Sequence, residues 1–405
     1  MIKLADTKNC TGCSACANVC PHTAITMRPD EEGFSHPAID VDKCVECHAC
    51  EKSCPIISGF QYGENNPDTY AVIYYPCRKK SSSGGAFSLL AEWMLSVGGV
   101  VYGASIDDQL KVRHVRVGKV EELYLLRGSK YVQSEIGHAY HDVRDDLKRG
   151  NKVLFTGTPC QVAGLYGFLH KSWEGQLYTI DIVCHGVPSQ KAFDAYLEKL
   201  KKSTALRAGG SCGNIEGFSF RKLDSWSIVP AVQFTERKPE ILCQERNAYM
   251  SAFFRGLLFK ESCFSCPYAK SERVGTFTIA DFWGIGKHGK PFKKNVSSGV
   301  SVLLDNRGAL DKIKDELPSD VYIEKRTFEE AAAENENLNS PFLRPTKRDT
   351  AVLDLVNPDI SLYQYAVKYH LLEPPVKHFV KKMFKNMIYA LGCYNLYKTI
   401  IYKIK

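Results

Sequence analysis

The chain has 405 residues, 44% of them apolar and 24% charged, which suits two or three packed domains and excludes a disordered or fibrous protein. The formal net charge is +8, but seven lysines and no acidic residue fall between Val376 and Lys405, so the body is close to neutral and nucleic-acid binding is not indicated. No run of about 20 apolar residues argues for a membrane span, and the first residues lack a signal-peptide pattern, so the sixteen cysteines point to metal ligation or redox chemistry in a reducing cytoplasm rather than to disulfides.

Residues 1–60 are cysteine-dense and too poor in apolar periodicity to fold without a metal core. Residues 58–68 read as a linker. From Thr69 the pattern alternates: a strand at 69–75, a helix at 83–95 ended by Gly98-Gly99, and a strand at 100–104. An amphipathic helix follows at 136–149, capped by Gly150. Short apolar runs at 152–156 and 177–183 read as buried strands. A helix at 189–202 starts from Ser189 as N-cap, another helix is expected at about 249–260, and strands at 276–280 and 300–304 complete the set. The fold class is therefore α/β with a mixed sheet over residues 69–345, preceded by a small α+β domain at 1–60. Residues 346–405 form a helical, basic tail. Its lysines and aromatic residues leave open packing on the body, peripheral contact with an anionic membrane, or contact with a partner.

Eight cysteines form two matched runs, Cys10-x2-Cys13-x2-Cys16-x3-Cys20-Pro and Cys44-x2-Cys47-x2-Cys50-x3-Cys54-Pro. This is the bacterial two-cluster ferredoxin spacing, in which the fourth cysteine of each run ligates the other cluster. One 4Fe-4S cluster is expected on Cys10, Cys13, Cys16 and Cys54, the other on Cys44, Cys47, Cys50 and Cys20. Soft thiolates suit such clusters, and zinc is the weaker alternative.

Four more cysteines follow strands or helices. Cys160 lies in Gly157-Thr158-Pro159-Cys160-Gln161 and Cys184 in Val183-Cys184-His185-Gly186, each just after a predicted strand, while Cys263-x2-Cys266-Pro267 follows a predicted helix. In an open α/β sheet, ligands gather beyond the carboxyl ends of the strands. A third 4Fe-4S cluster on Cys160, Cys184, Cys263 and Cys266 is one reading. Small buried cysteines, half of a zinc ribbon, and a lone redox thiol at Cys160 stay open beside it. Cys77, Cys212, Cys243 and Cys393 have no ligand spacing.

Five segments, Ser81-Ser82-Ser83-Gly84-Gly85, Gly128-Ser129-Lys130-Tyr131-Val132-Gln133-Ser134, Gly157-Thr158-Pro159-Cys160-Gln161, Val183-Cys184-His185-Gly186 and Asp281-Phe282-Trp283-Gly284, together resemble the family of beta subunits of the coenzyme F-420 (deazaflavin) hydrogenases and dehydrogenases. The resemblance runs over about residues 70–345. It implies an FAD-binding domain with a cluster beside the flavin, and a redox partner such as a ferredoxin. It leaves the organic or deazaflavin-type substrate and the direction of electron flow open. Within these segments, Ser82, Ser83, Gly84 and Gly85 form a polar turn whose amides can hold a phosphate at a helix start. Gly157 and Thr158 allow close backbone approach to a ring. Lys130, Gln133 and Gln161 are further candidates for contact with the cofactor. His185 is a candidate proton donor. An electron-transfer subunit with no substrate of its own is the alternative to a self-contained enzyme.

Overall fold

The computed structural model describes residues 2–372 apart from 61–62, 64–66, 211 and 222–225. The basic segment from Val376 onward lies outside the described residues. In the first 60 residues, strands β1 (Ile25–Pro29) and β2 (Ser35–Ile39) pair antiparallel, and short helices α1 (Ala15–Val19), α2 (Ala49–Ser53) and α3 (Pro55–Ser58) carry the cysteine runs.

The body is built on one mixed sheet. Its strands are β3 (Asp68–Tyr74), β4 (Val100–Ile106), β5 (Val112–Val117), β6 (Val153–Gly157) and β7 (Leu177–Ile182). A separate three-stranded sheet, β8 (Ile215–Ser219), β9 (Ala231–Phe234) and β10 (Glu240–Ile241), intervenes before β11 (Phe277–Asp281), β12 (Ser301–Asp305) and β13 (Val321–Arg326) return to the main sheet. The order across the large sheet is β13-β3-β12-β11-β7-β6-β4-β5. Strands β4, β6, β7 and β11 run parallel, while β12 pairs antiparallel with both β11 and β3. The strands β3, β11, β7, β6 and β4 thus all end at one rim.

Both faces of the sheet are covered, so its strands read as apolar runs rather than alternating ones. Helix α4 (Ala86–Ser96) lays Leu89, Leu90, Trp93 and Met94 on Val72, Val101, Leu154 and Ile180. On the opposite face, α5 (Ala139–Lys148) and α6 (Pro159–Leu169) pack Tyr140, Val143, Leu165 and Phe168 against Tyr102, Val153 and Phe155. A second layer forms around α7 (Gln190–Ala208), the small sheet, α8 (Ala248–Phe254) and the later helices Arg348–Val356 and Leu362–Lys368.

Most predicted elements lie within a few residues of those observed. The helix expected from Ser83 begins at Ala86, because Ser81–Gly85 form a bend that closes with Gly85 at φ +98°. The helix expected from Ile136 begins at Ala139, after Gly137 takes a positive φ. The helix expected over 249–260 stops at Phe254; Gly256 then turns the chain with φ +66° against the ring of Phe342. Ser189 does cap α7, its hydroxyl accepting from Ala192 N at 3.2 Å.

Candidate redox site

The two ferredoxin-type runs are conformational copies. Ser14 and His48 both take left-handed backbone before α1 and α2, and Cys20 and Cys54 close both helices in extended conformation. The thiols of Cys13, Cys10 and Cys54 act electrostatically on Cys16, and that of Cys20 acts on Cys50. The fourth cysteine of each run therefore sits with the other run. Burial pushes the Cys10 thiol up and that of Cys13 to about 12; metal ligation removes such protons outright. Cys10, Cys13 and Cys16 are buried and Cys54 half-buried; of the other four, Cys50 is buried, Cys20 and Cys44 are half-buried and Cys47 is exposed. One cysteine group is thus inner and the other outer.

The inner group faces the body across α6. Gly164 and Gly167, three residues apart on one helix face, leave room for the module: a Cβ on Gly164 would lie 3.0 Å from Cys13 Sγ, and one on Gly167 2.2 Å from Ser53 O. Polar ties surround this seat. Tyr140 Oη lies 2.7 Å from Gln161 O and 3.0 Å from Cys13 O, its one proton shared between them, Gln133 Nε2 donates to Thr11 O at 2.9 Å, and Ser53 Oγ meets His170 Nε2 at 2.8 Å. Arg348 forms two 2.6 Å bonds with the carboxylate of Glu32 while also donating to Phe259 O.

The other four cysteines converge from three segments. Cys160 occupies the first turn of α6, and Cys184 follows β7, the parallel neighbour of β6. Cys263 lies in the short 3-10 turn Glu261–Ser265, which Cys266 closes. Cys263, Cys160 and Cys266 act electrostatically on Cys184, and Cys266 and Cys263 on Cys160. Burial pushes the thiols of Cys160 and Cys263 to about 12 and raises those of Cys184 and Cys266. Cys160 lies one turn before Gly164 on α6, where a Cβ would come 3.0 Å from Cys13 Sγ, so the second cysteine group adjoins the inner ferredoxin group. Among the described residues no three His, Cys, Asp or Glu side chains stand close enough to hold a single metal ion. Cys77 and Cys212 are buried away from both groups, Cys243 is exposed, and Cys393 lies outside the described residues.

Beyond the rim of the large sheet lies a cleft of about 280 Å³. Ser82, Ser83, Gly85, Gly157, Thr158, Lys130, Gln161, Cys184 and His185 line it. Two predicted contacts are not at its wall. Gly84 is packed inside the sheet margin, where a Cβ would come 2.1 Å from Val72 O, and Gln133 is taken by the ferredoxin loop. The polar atoms of two lining residues are also occupied. Lys130 Nζ donates to the carbonyls of Leu125, Leu126 and Arg127, closing a 3-10 helix, while burial pushes its ammonium down to about 7. Gln161 completes a capping box with Thr158 and donates to Ser134. These side chains shape the cleft by holding backbone.

The open polar groups are fewer. Among the described residues, no protein acceptor takes the amides of Ser82, Ser83 and Gly85 ahead of α4, and the ring of His185 has no hydrogen-bond partner. Burial lowers the pKa of His185, opposed by Asp281 and Glu336. Asp281 accepts from Arg221 Nη1 at 2.6 Å and from Trp226 Nε1 at 2.6 Å, and Trp226 stacks on Trp283 at 4.7 Å. Arg221 and Trp226 lie in a segment without periodicity or spacing signal, so nothing in the sequence marks them.

Two family models match the chain. One is a 4Fe-4S dicluster domain over residues 9–56; the other is the C terminus of the coenzyme F420 hydrogenase/dehydrogenase beta subunit, over residues 150–330. Over residues 150–330 the chain is thus similar to these beta subunits, with the dicluster pattern ahead of it. The matched C-terminal region runs from β6 through β13 and contains Cys160, Cys184, Cys263 and Cys266. Among curated relatives, the F subunit of F(420)H(2) dehydrogenase from Methanosarcina mazei is 23% identical over 162 residues, 38% of this chain and 46% of the relative. The chain thus spans a little under half of that relative's length. A chain of the F420-reducing NiFe hydrogenase complex from Methanosarcina barkeri aligns at TM-score 0.42 and 15% identity, covering 76% of this chain and 93% of that one. No helix among the described residues is long and apolar enough to cross a membrane.

Proposed function

We propose that the chain is an iron–sulfur flavoprotein oxidoreductase. Cys20, Cys44, Cys47 and Cys50 would hold an outer 4Fe-4S cluster, Cys10, Cys13, Cys16 and Cys54 an inner one, Cys160, Cys184, Cys263 and Cys266 a third, and the rim cleft would hold FAD. Together these groups would supply one-electron transfer between a ferredoxin-like protein and an organic or deazaflavin-type substrate, in either direction. The observation that carries this reading is the position of the second cysteine group: Cys160 lies one turn before Gly164 on α6, where a Cβ would come 3.0 Å from Cys13 Sγ, while Cys184 lines the cleft. Four cysteines from three segments make the complete thiolate set of one cubane.

The cleft suits a flavin by its donors. The open amides of Ser82, Ser83 and Gly85 precede the N-terminus of α4, where backbone donors and the helix dipole favour phosphate. FAD bound there supplies the exchange between single electrons and a two-electron hydride. His185 is positioned to hold or release a proton at the cleft wall, with its pKa lowered by burial so that the neutral ring predominates. Arg221, held by Asp281, and the Trp226–Trp283 stack bound the side of the cleft where a planar substrate would lie.

Quantifying iron, sulfide and released flavin in anaerobically purified protein tests the proposal. About twelve irons and one FAD per chain are expected by the four-cysteine count. Eight irons without flavin would leave a ferredoxin module on a domain of another role. The second reading, an electron-transfer subunit without its own substrate, draws on the exposed outer edge, where Cys47 is flanked by Val41 at 79% and Val45 at 59% exposure. It predicts co-purification with a partner enzyme and no turnover alone.

A further inference from the structure

Lys260 is a buried lysine, 1% exposed, at the junction of the two domains; burial pushes the pKa of its ammonium down, opposed by Cys10, Asp30, Cys263 and Cys160. Its backbone belongs to the segment that carries the second cysteine group: its N–H donates to Val187 O at 3.0 Å and its carbonyl accepts from Cys263 N at 3.0 Å. Its side chain crosses to the ferredoxin hairpin. Nζ lies 3.4 Å from Ser35 O, 3.0 Å from His36 Nε2 and 5.1 Å from the centre of the Phe34 ring. Ser35 O in turn sits against the inner cysteine loop, 3.0 Å from where a Cβ on Gly12 would be. The groups its charge acts on are Cys10 of the inner group, Asp30, and Cys263 and Cys160 of the second group.

Among the described residues, no carboxylate touches this ammonium. The nearest acid, Asp30, has its Oδ2 3.1 Å from His36 Nε2, the atom that also faces the ammonium; that nitrogen serves one of the two at a time. Glu32, the other acid of the hairpin, is engaged by Arg348, and Glu261 by Arg344. Hydrogen bonding to a carbonyl and a ring does not neutralise a charge, and the surroundings are too dry to screen it. A 4Fe-4S cluster gains one negative charge on each one-electron reduction, so a fixed cation beside it favours the reduced form. Cluster potentials respond to local charge and hydrogen bonding in this way.

We propose that Lys260 is an electrostatic positioning residue set between the inner ferredoxin cluster and the third cluster, raising the reduction potential of both and drawing electrons inward from the outer cluster. This rests on the three-cluster reading above. The outer cluster serves as an internal control, since none of its cysteines is among the groups on which the Lys260 charge chiefly acts.

The test is an EPR-monitored redox titration of the anaerobic full chain, with iron counted in the same samples. Lys260→Gln is expected to hold about twelve irons and to shift two of the three cluster midpoints negative by roughly a factor of ten in the reduction equilibrium, about 59 mV for a one-electron couple. Lys260→Arg is expected to stay near wild type. Asp30→Asn, which removes the nearest negative charge while keeping the turn, is expected to move the same two midpoints positive. Twelve irons with unmoved midpoints in Lys260→Gln would overturn the role of Lys260 alone. If that variant fails to hold its iron, unmoved midpoints in Asp30→Asn overturn it instead. Eight irons in wild type would overturn the three-cluster reading, and midpoints of the inner cluster would then decide the role of Lys260 separately.

Discussion

Replacing Gly167 by Ala tests whether α6 is the seat of the ferredoxin module. The added methyl would lie 2.2 Å from Ser53 O and 3.1 Å from Ser53 C. Ordinary contact begins near 3.5 Å, so the carbonyl must retreat by about 1 Å. The obstacle is backbone and cannot rotate away, and the next residue is Cys54, a predicted ligand of the inner cluster. Overpacking of this kind costs about 1–3 kcal/mol, and a clash with backbone belongs at the upper end. Removing a glycine from a helix interior returns about 1 kcal/mol. The expected net loss is about 2 kcal/mol, concentrated at the contact between module and body. Anaerobic Gly167→Ala should melt several degrees lower, lose iron more readily under mild heating, and pass electrons from the module to the cleft more slowly in stopped-flow reduction. Gly210→Ala, where the methyl meets nothing within 4 Å, should match wild type in all three. Wild-type melting, iron retention and transfer rate in Gly167→Ala would refute the seat.

Other outcomes follow from the same structure. Asp181 is fully buried and accepts from Arg273 Nη2, Val274 N, Gly275 N and Thr278 Oγ1 at 2.7–3.0 Å. Asp181→Ala strands the buried Arg273 charge and should cost about 3–5 kcal/mol, read as a lower denaturant midpoint. Burial pushes the pKa of His114 from 6.5 to about 4, its ring nitrogens meeting Thr156 O and Ser134 Oγ. The unfolded chain then binds the extra proton first, so stability present above pH 6.5 is lost as pH falls toward 4, by up to about 3 kcal/mol. His114→Gln should flatten that slope in denaturation curves taken across this range. Cys184→Ala should drop iron from about twelve to about eight per chain while the ferredoxin signals persist; undiminished iron would remove Cys184 from the ligand set.

The ferredoxin runs were legible because metal ligation demands a fixed spacing within a short stretch. The parallel strands β6 and β7 were legible for a related reason: buried on both faces, Val153–Gly157 and Leu177–Ile182 read as apolar runs. The edge strands β5 and β13 escaped, since Arg113, Arg116, Glu324 and Lys325 interrupt their apolar pattern at the sheet margin. Gln133 and Lys130 illustrate a different limit. A polar residue in a glycine-containing segment looks the same whether it meets a ligand or a carbonyl of the same chain, and the acceptors here lie on Thr11 and on Leu125–Arg127. Lys260 carries no local signal at all. Its setting is made by the hairpin at residues 34–36, more than 220 positions earlier in the chain.

The seat of the ferredoxin module also sets an order of assembly. The module is encoded in the first 60 residues, but the surfaces that cover its inner cysteines come from Gln133, Tyr140, α6, Lys260 and finally Arg348. Domains fold largely in the order they leave the ribosome. The module therefore emerges long before its cover, with the inner cysteines facing solvent until nearly 350 residues have been made. During synthesis the inner site is as open to iron delivery, and to oxygen, as the outer one is in the finished protein. Closure of the body over it ends both kinds of access at once.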